Sequence, residues 1–190
     1  EMSRARDVFQ TLCNRDNADE VEAHGPYLCS SARAWLGEGY YFWDSLIENA
    51  HWWGHSAYND DYFICHALFR YEDETIFDLV GDPLHLKELR EVSNLLKSHN
   101  MDCTVAGIIE YLKRQTTFSN DFVAIKARDE FPGRVVARVF FRNDKPEFIN
   151  TEPRIQFCIL KRRPFPVSEY KIIYPAEYRK DSIQDILPVV

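Results

Sequence analysis

Long helix-period text is confined to the middle of this chain, and that segregation limits what it can fold into. Gly81-Asp82-Pro83 supplies a turn, an N-cap aspartate and a proline at the first helical position. Leu86, Leu89, Val92 and Leu96 then recur at helical spacing to about Ser98. A second helix is predicted from Thr104 to about Gln115, with Val105, Ile108, Ile109 and Leu112 on one side. Both flanks read as strands. Residues 8–12, 62–69 and 75–80 precede the helices, and 62–69 is apolar on both faces, as a central strand is. Residues 122–127, 134–141, 154–160 and 170–174 follow, punctuated by Pro132-Gly133, Pro146 and the 150–153 loop, with a short helix expected near 181–187. Strands on both sides of a helical middle predict an α+β domain rather than a repeating βαβ order.

Composition narrows the class. A chain of 190 residues with 45% apolar and 14% aromatic content has the material for one core, so a single domain over 1–190 is expected. A net charge of −7 gives no global attraction to nucleic acid or anionic lipid, which leaves Lys161-Arg162-Arg163 as the local basic candidate or a solvated turn. The cysteines at 13, 29, 65, 103 and 158 are odd in number and lack CxxC spacing, which predicts a reduced, cytoplasmic protein. No signal core and no apolar run of about 20 residues is seen, so no membrane partner is expected. His51 and His55, four apart, and His66 are the best metal ligands available. Gly54 between the first two reads as a helix end, and no metal is expected.

Residues 35–54 carry the strongest local signal. Trp35-Leu36-Gly37-Glu38-Gly39-Tyr40-Tyr41-Phe42-Trp43-Asp44 reads as a glycine-punctuated strand. Ser45 to Gly54 reads as a short helix, with Asp44 or Ser45 as its N-cap. Close glycines let a backbone approach a neighbour or adopt positive φ. Flanking aromatic faces suit a flat ligand, or else simply fill a core around a tight turn. Upstream, residues 16–23 form a polar helix or loop, and His24-Gly25-Pro26 is a turn.

Gly37-x-Gly39-x-Tyr41-Phe42, followed by Asp44 and Ala50, resembles the second signature of the ADP-ribosyltransferase fold, in its poly(ADP-ribose) polymerase and diphtheria-toxin branch. Bacterial ADP-ribosyltransferase-like proteins with Leu-Gly-x-Gly-Tyr-Tyr-Phe-Trp-Asp and a late Ile-Gln-x-Cys strand are similar over the whole chain. The resemblance implies a split β-sheet core with an NAD-binding cleft and flanking helices. In the family, the signature tyrosine and an aromatic eleven residues later sandwich the nicotinamide ring of NAD⁺. Those positions are Tyr41 and Trp52, with Tyr40 as neighbouring support.

The other motifs depart from the pattern. His24-Gly25 matches the first motif in letters, His24 for the ribose and Gly25 backbone groups for the carboxamide, but it lies unusually close to Gly37. A first strand over 8–13 would instead leave Asn14 or Arg15 near that role. The third motif is normally a glutamate at a late strand; Glu152 and Gln156 are its candidates. Gln156 keeps a hydrogen bond without the charge, which disfavours chain formation. The implied activity is single ADP-ribosyl transfer from NAD⁺ to a protein or nucleic acid, in a bacterial toxin, effector or conflict setting with a neutralising antitoxin or immunity protein. The alternatives are an NAD⁺ glycohydrolase and a catalytically degenerate NAD- or protein-binding module.

Overall fold

The computed structural model describes residues 3–32, 34–101, 103–130, 138–140, 147–161 and 163–180. The chain opens with β1 (Arg4–Cys13) and α1 (Ala18–His24), then β2 (Tyr40–Asp44), α2 (Ile47–Tyr58), β3 (Tyr62–Tyr71) and β4 (Ile76–Asp78). The helical middle is α3 (Pro83–Ser98), α4 (Val105–Gln115) and α5 (Phe118–Asp121). The strands β5 (Ala124–Arg128), β6 (Arg138–Phe140), β7 (Phe148–Asn150), β8 (Ile155–Ile159) and β9 (Val167–Tyr174) follow. The expected strand at 134–137 and 141, its Pro132-Gly133 and Pro146 punctuation, Arg162 and the helix near 181–187 lie outside the described residues.

The two long helices start where their caps predict. The Asp82 carboxylate accepts from the Leu84 amide at 2.8 Å with Pro83 behind it, and the Thr104 hydroxyl accepts from the Gly107 amide at 3.0 Å. Helix α2 does not. It begins at Ile47 with Leu46 at the cap position and no side-chain cap. Asp44 and Ser45 are engaged elsewhere: the Ser45 hydroxyl donates to Asp44 at 2.7 Å, Lys126 Nζ lies 3.9 Å from the same carboxylate, and Ser45 turns the chain at φ 59°.

Seven strands form one sheet in the order β4-β5-β8-β2-β1-β3-β9, antiparallel except for the β4–β5 pair. Strands β6 and β7 pair separately. The split β-sheet core that the resemblance implies is therefore not observed among the described residues: seven strands are hydrogen-bonded into a single sheet, and that sheet opens at its centre. Strands β1 and β3 pair along their whole length, from Arg4↔Tyr71 to Cys13↔Tyr62. Strands β1 and β2 share just Val8↔Asp44 and Phe9↔Trp43. Had that register run on, Thr11 would face Tyr41.

Helices cover one face in two groups. Phe77, Ile125 and Cys158 pack under α3, α4 and α5 through Leu96, Ile108, Ile109, Leu112 and Phe118. Phe9, Trp43, Tyr62 and Ile64 pack under α2 through Ala50. The opposite face buries Val8, Phe42, Phe69, Phe157 and Ile159, while α1 brings Val21 onto Phe63, Cys65 and Ile172. Alternation along β2 thus sends Phe42 to one face and Tyr41 and Trp43 to the other.

Candidate functional site

The parting of β1 and β2 creates a cleft of about 660 Å³, within the range of small-ligand pockets. Gln10 and Thr11 line it from β1, Tyr41 and Trp43 from β2, and Gln156 from β8. Tyr27 and Trp35 close it on the loop side, and Trp53 and Tyr58 on the α2 side. Its charged lining residues, among those described, are Arg15 and Asp129. A second cavity of about 470 Å³ sets Arg4, Arg6 and Lys126 against Asp73, Asp78 and Asp82. Its charges balance and its walls offer little aromatic surface, so the central cleft is the better candidate.

Tyr41 is held rather than free. Its hydroxyl donates to the Gly37 carbonyl at 2.7 Å and accepts from the Leu36 amide at 2.9 Å. Burial pushes its phenol far above the ordinary tyrosine value, so it stays protonated and is a wall, not a base. The loop it closes needs both glycines: Gly37 has φ 89°, and a Cβ on Gly39 would sit 2.4 Å from Cys158 Sγ.

Gln10 spans the opening. Its Nε2 donates to the Tyr27 carbonyl at 2.9 Å and the Tyr41 carbonyl at 3.4 Å, while its Oε1 accepts from the Tyr27 amide at 2.9 Å and the Tyr170 hydroxyl at 2.8 Å. Gln156 is oriented by the Trp35 indole, which donates to Oε1 at 2.9 Å. That contact leaves Nε2 as the end of the amide that can donate to a guest.

The structure brings Tyr41, Gln156 and the alternative candidate Arg15 to one cleft and places the other sequence candidates elsewhere. Trp52 packs edge-on to Trp43 with centroids 6.1 Å apart, and the Arg154 guanidinium lies 3.8 Å from its ring centre. A cation already covers that face, and the adjacent Trp53 lines the cleft instead. Tyr40 points to the opposite face, edge-on to Phe165 at 4.7 Å. His24 is exposed at the end of α1, bonded to the Glu20 carbonyl at 3.1 Å. Gly25 lies against the Tyr170 ring, where a Cβ would come within 2.0 Å. Glu152 is exposed on the β7–β8 loop, its amide donating to Asn150 at 3.1 Å. Arg15, the alternative considered for the first motif, does line the cleft, and Asn14 pairs its amide with the Asp61 carbonyl.

Sequence reasoning missed Gln10, Trp53 and Asp129. Gln10 had a signal, an amide set between the apolar Val8-Phe9 and Leu12 of β1. Trp53 could not be separated from Trp52 by spacing, since neighbours on a helix differ by about 100° of rotation and the helix start sets which one faces inward. Asp129 had none, because its role depends on which strand lies beside β5. His51 and His55 stack on α2 with centroids 6.3 Å apart, and His66 bonds Asp7 at 2.8 Å. Among the described residues, no group of three His, Cys, Asp or Glu side chains converges on a metal position, and no helix is long and apolar enough to cross a membrane. Comparison with protein-family models, with curated proteins and with solved structures gives no match.

Proposed function

We propose that this chain is an NAD⁺-dependent mono-ADP-ribosyltransferase-like protein that modifies a macromolecule, in a bacterial toxin, effector or conflict setting. The observation that carries the reading is the central cleft, where Tyr41, a tryptophan of α2 and Gln156 line one space at the opening of the sheet. Its support is twofold. The Gly37-x-Gly39-x-Tyr41-Phe42 strand runs directly into a helix, as the resemblance requires. The space is also ringed by aromatic side chains suited to a cationic pyridinium, whose contact with such rings contributes about 0.5–2 kcal/mol.

The chemistry assigns each wall a task. Cleaving NAD⁺ at the nicotinamide builds positive charge on the ribose, so the ring must be held still while the sugar is exposed to an acceptor. Tyr41 and Trp53 flank the ring in this reading, with Trp53 taking the place expected for Trp52. Gln156 Nε2 donates to a ribose hydroxyl. An amide there holds that hydroxyl without a charge, and in the family chain growth goes with a glutamate at this position, which favours one transfer. The acceptor is a protein or nucleic acid, and a neutralising antitoxin or immunity protein is the partner such a setting calls for.

The neutral Gln156 and the outlying Glu152 also favour a second reading, an NAD⁺ glycohydrolase or a binding module of the same fold. Incubating the chain with labelled NAD⁺ and bacterial lysate separates them. Label on a macromolecule is the expected result. Free nicotinamide without transfer indicates hydrolysis, and a raised melting temperature with neither product indicates binding alone. No thermal shift and no product rejects the NAD⁺ reading.

A further inference from the structure

Resting on the NAD⁺ reading, we propose that Asp129 is the catalytic carboxylate of this cleft. Loss of nicotinamide turns the ribose anomeric carbon into an oxocarbenium-like centre, and a carboxylate beside that centre is the usual way a protein stabilises it. Of the two candidates for the third motif, Gln156 is neutral and Glu152 is exposed on its loop. Asp44, the carboxylate of β2, does not line the cleft. Among the described residues lining the cleft, Asp129 is the one carboxylate.

Its position is fixed by the sheet. Ala127 pairs with Gln156 and Arg128 with Ile155, and the Asp129 amide donates to the Arg154 carbonyl at 2.8 Å, so the pairing of β5 with the β8 side continues through Asp129. Alternation puts Asp129 on the face of Ala127, two residues or about 7 Å further along the strand. That is the face on which Gln156 takes its bond from Trp35. A ribose whose hydroxyl bonds Gln156 would thus have Asp129 alongside.

The step balances without another reagent. The bond from the anomeric carbon to the pyridinium nitrogen breaks, its electron pair stays on that nitrogen, and nicotinamide leaves neutral. The acceptor hydroxyl or water forms the new oxygen–carbon bond. Its proton passes to the Asp129 carboxylate and from there to solvent.

The test measures nicotinamide release, NAD⁺ affinity from tryptophan fluorescence, and a melting curve for each variant of the full chain. Asp129→Asn should lower nicotinamide release by about 100-fold, as removal of a general base does, with NAD⁺ affinity unchanged within threefold. Asp129→Glu, which keeps the charge, should recover most of the rate. A loss smaller than tenfold in Asp129→Asn, or a fall in affinity that accounts for the lost rate, overturns the assignment while the NAD⁺ reading stands. A wild-type chain that binds NAD⁺ but releases no nicotinamide overturns it too, and one that does neither overturns both. Should Asp129→Asn melt below the assay temperature, Asp129→Ser read in the same way decides the point.

Discussion

Replacing Trp53 with alanine removes an aromatic wall of the cleft, and under the proposed NAD⁺ reading affinity for NAD⁺ should fall by about 1–3 kcal/mol in a fluorescence titration, with the melting temperature little changed. Trp52→Ala should do the reverse. It strips the contact with Trp43 and exposes the underside of Arg154, which predicts a loss of about 2–4 kcal/mol in a denaturant melt and intact affinity in the stable fraction. His51 offers a test by pH. Burial, then the neighbouring His55, hold its imidazole below the ordinary value against a smaller opposing pull from Glu48, and its Nδ1 meets the Tyr62 hydroxyl at 2.8 Å. The unfolded chain therefore takes up this proton first as pH falls through about 6.5, so stability declines there and the penalty is complete below the folded value. His51→Gln should flatten that part of the melting-temperature profile. At this scale the sequence was only partly legible. Tyr41 and Gln156, which line the cleft, stand out by letter and spacing, whereas which of Trp52 and Trp53 lines it hangs on a helix start that Asp44 and Ser45 do not cap.

Helix α2 is anchored by the absence of a side chain. A Cβ on Gly54 would lie 2.4 Å from the Tyr62 ring, which is itself stacked on Tyr174 with centroids 5.0 Å apart. Glycine to alanine inside a helix ordinarily stabilises by about 1 kcal/mol. Here Gly54→Ala should destabilise by about 1–3 kcal/mol in the same denaturant assay, because helix and strand must separate to admit the methyl group. Gly54 reads from sequence as the end of the helix, and it lies instead inside α2, packed against Tyr62 of β3. The elements whose signals are local came through: α3 with Asp82-Pro83, α4 with Thr104, and β3 with apolar residues on both faces. Strand β1 ran further than the short apolar core at 8–12 suggested, since pairing with β3 continues through its charged residues Arg4, Arg6 and Asp7. A partner strand supplies hydrogen bonds to any side chain, so local hydrophobicity underestimates such a strand.

Across the whole molecule, the α+β class followed from the order of strand and helix text, but the order of strands did not. Which strand neighbours which is decided by contacts distant in sequence, and Gln10 shows how few residues can matter. It ties β1 to β2, to the loop after α1 and to β9. Gln10→Ala would strand the Tyr27 amide and the Tyr170 hydroxyl inside the protein. We expect a loss of about 2–4 kcal/mol in global stability, read by thermal or denaturant unfolding. The same glutamine bears on what the fold can accommodate. Adjacent strands that keep pairing are locked about 4.8 Å apart by their backbones, whatever their side chains. Strands β1 and β2 escape that spacing after Phe9 and Trp43, and beyond that point their separation is a property of side chains. The jaw can therefore be reset by exchanging a residue such as Gln10 or Trp53, while the ten-residue β1–β3 ladder beside it keeps its register.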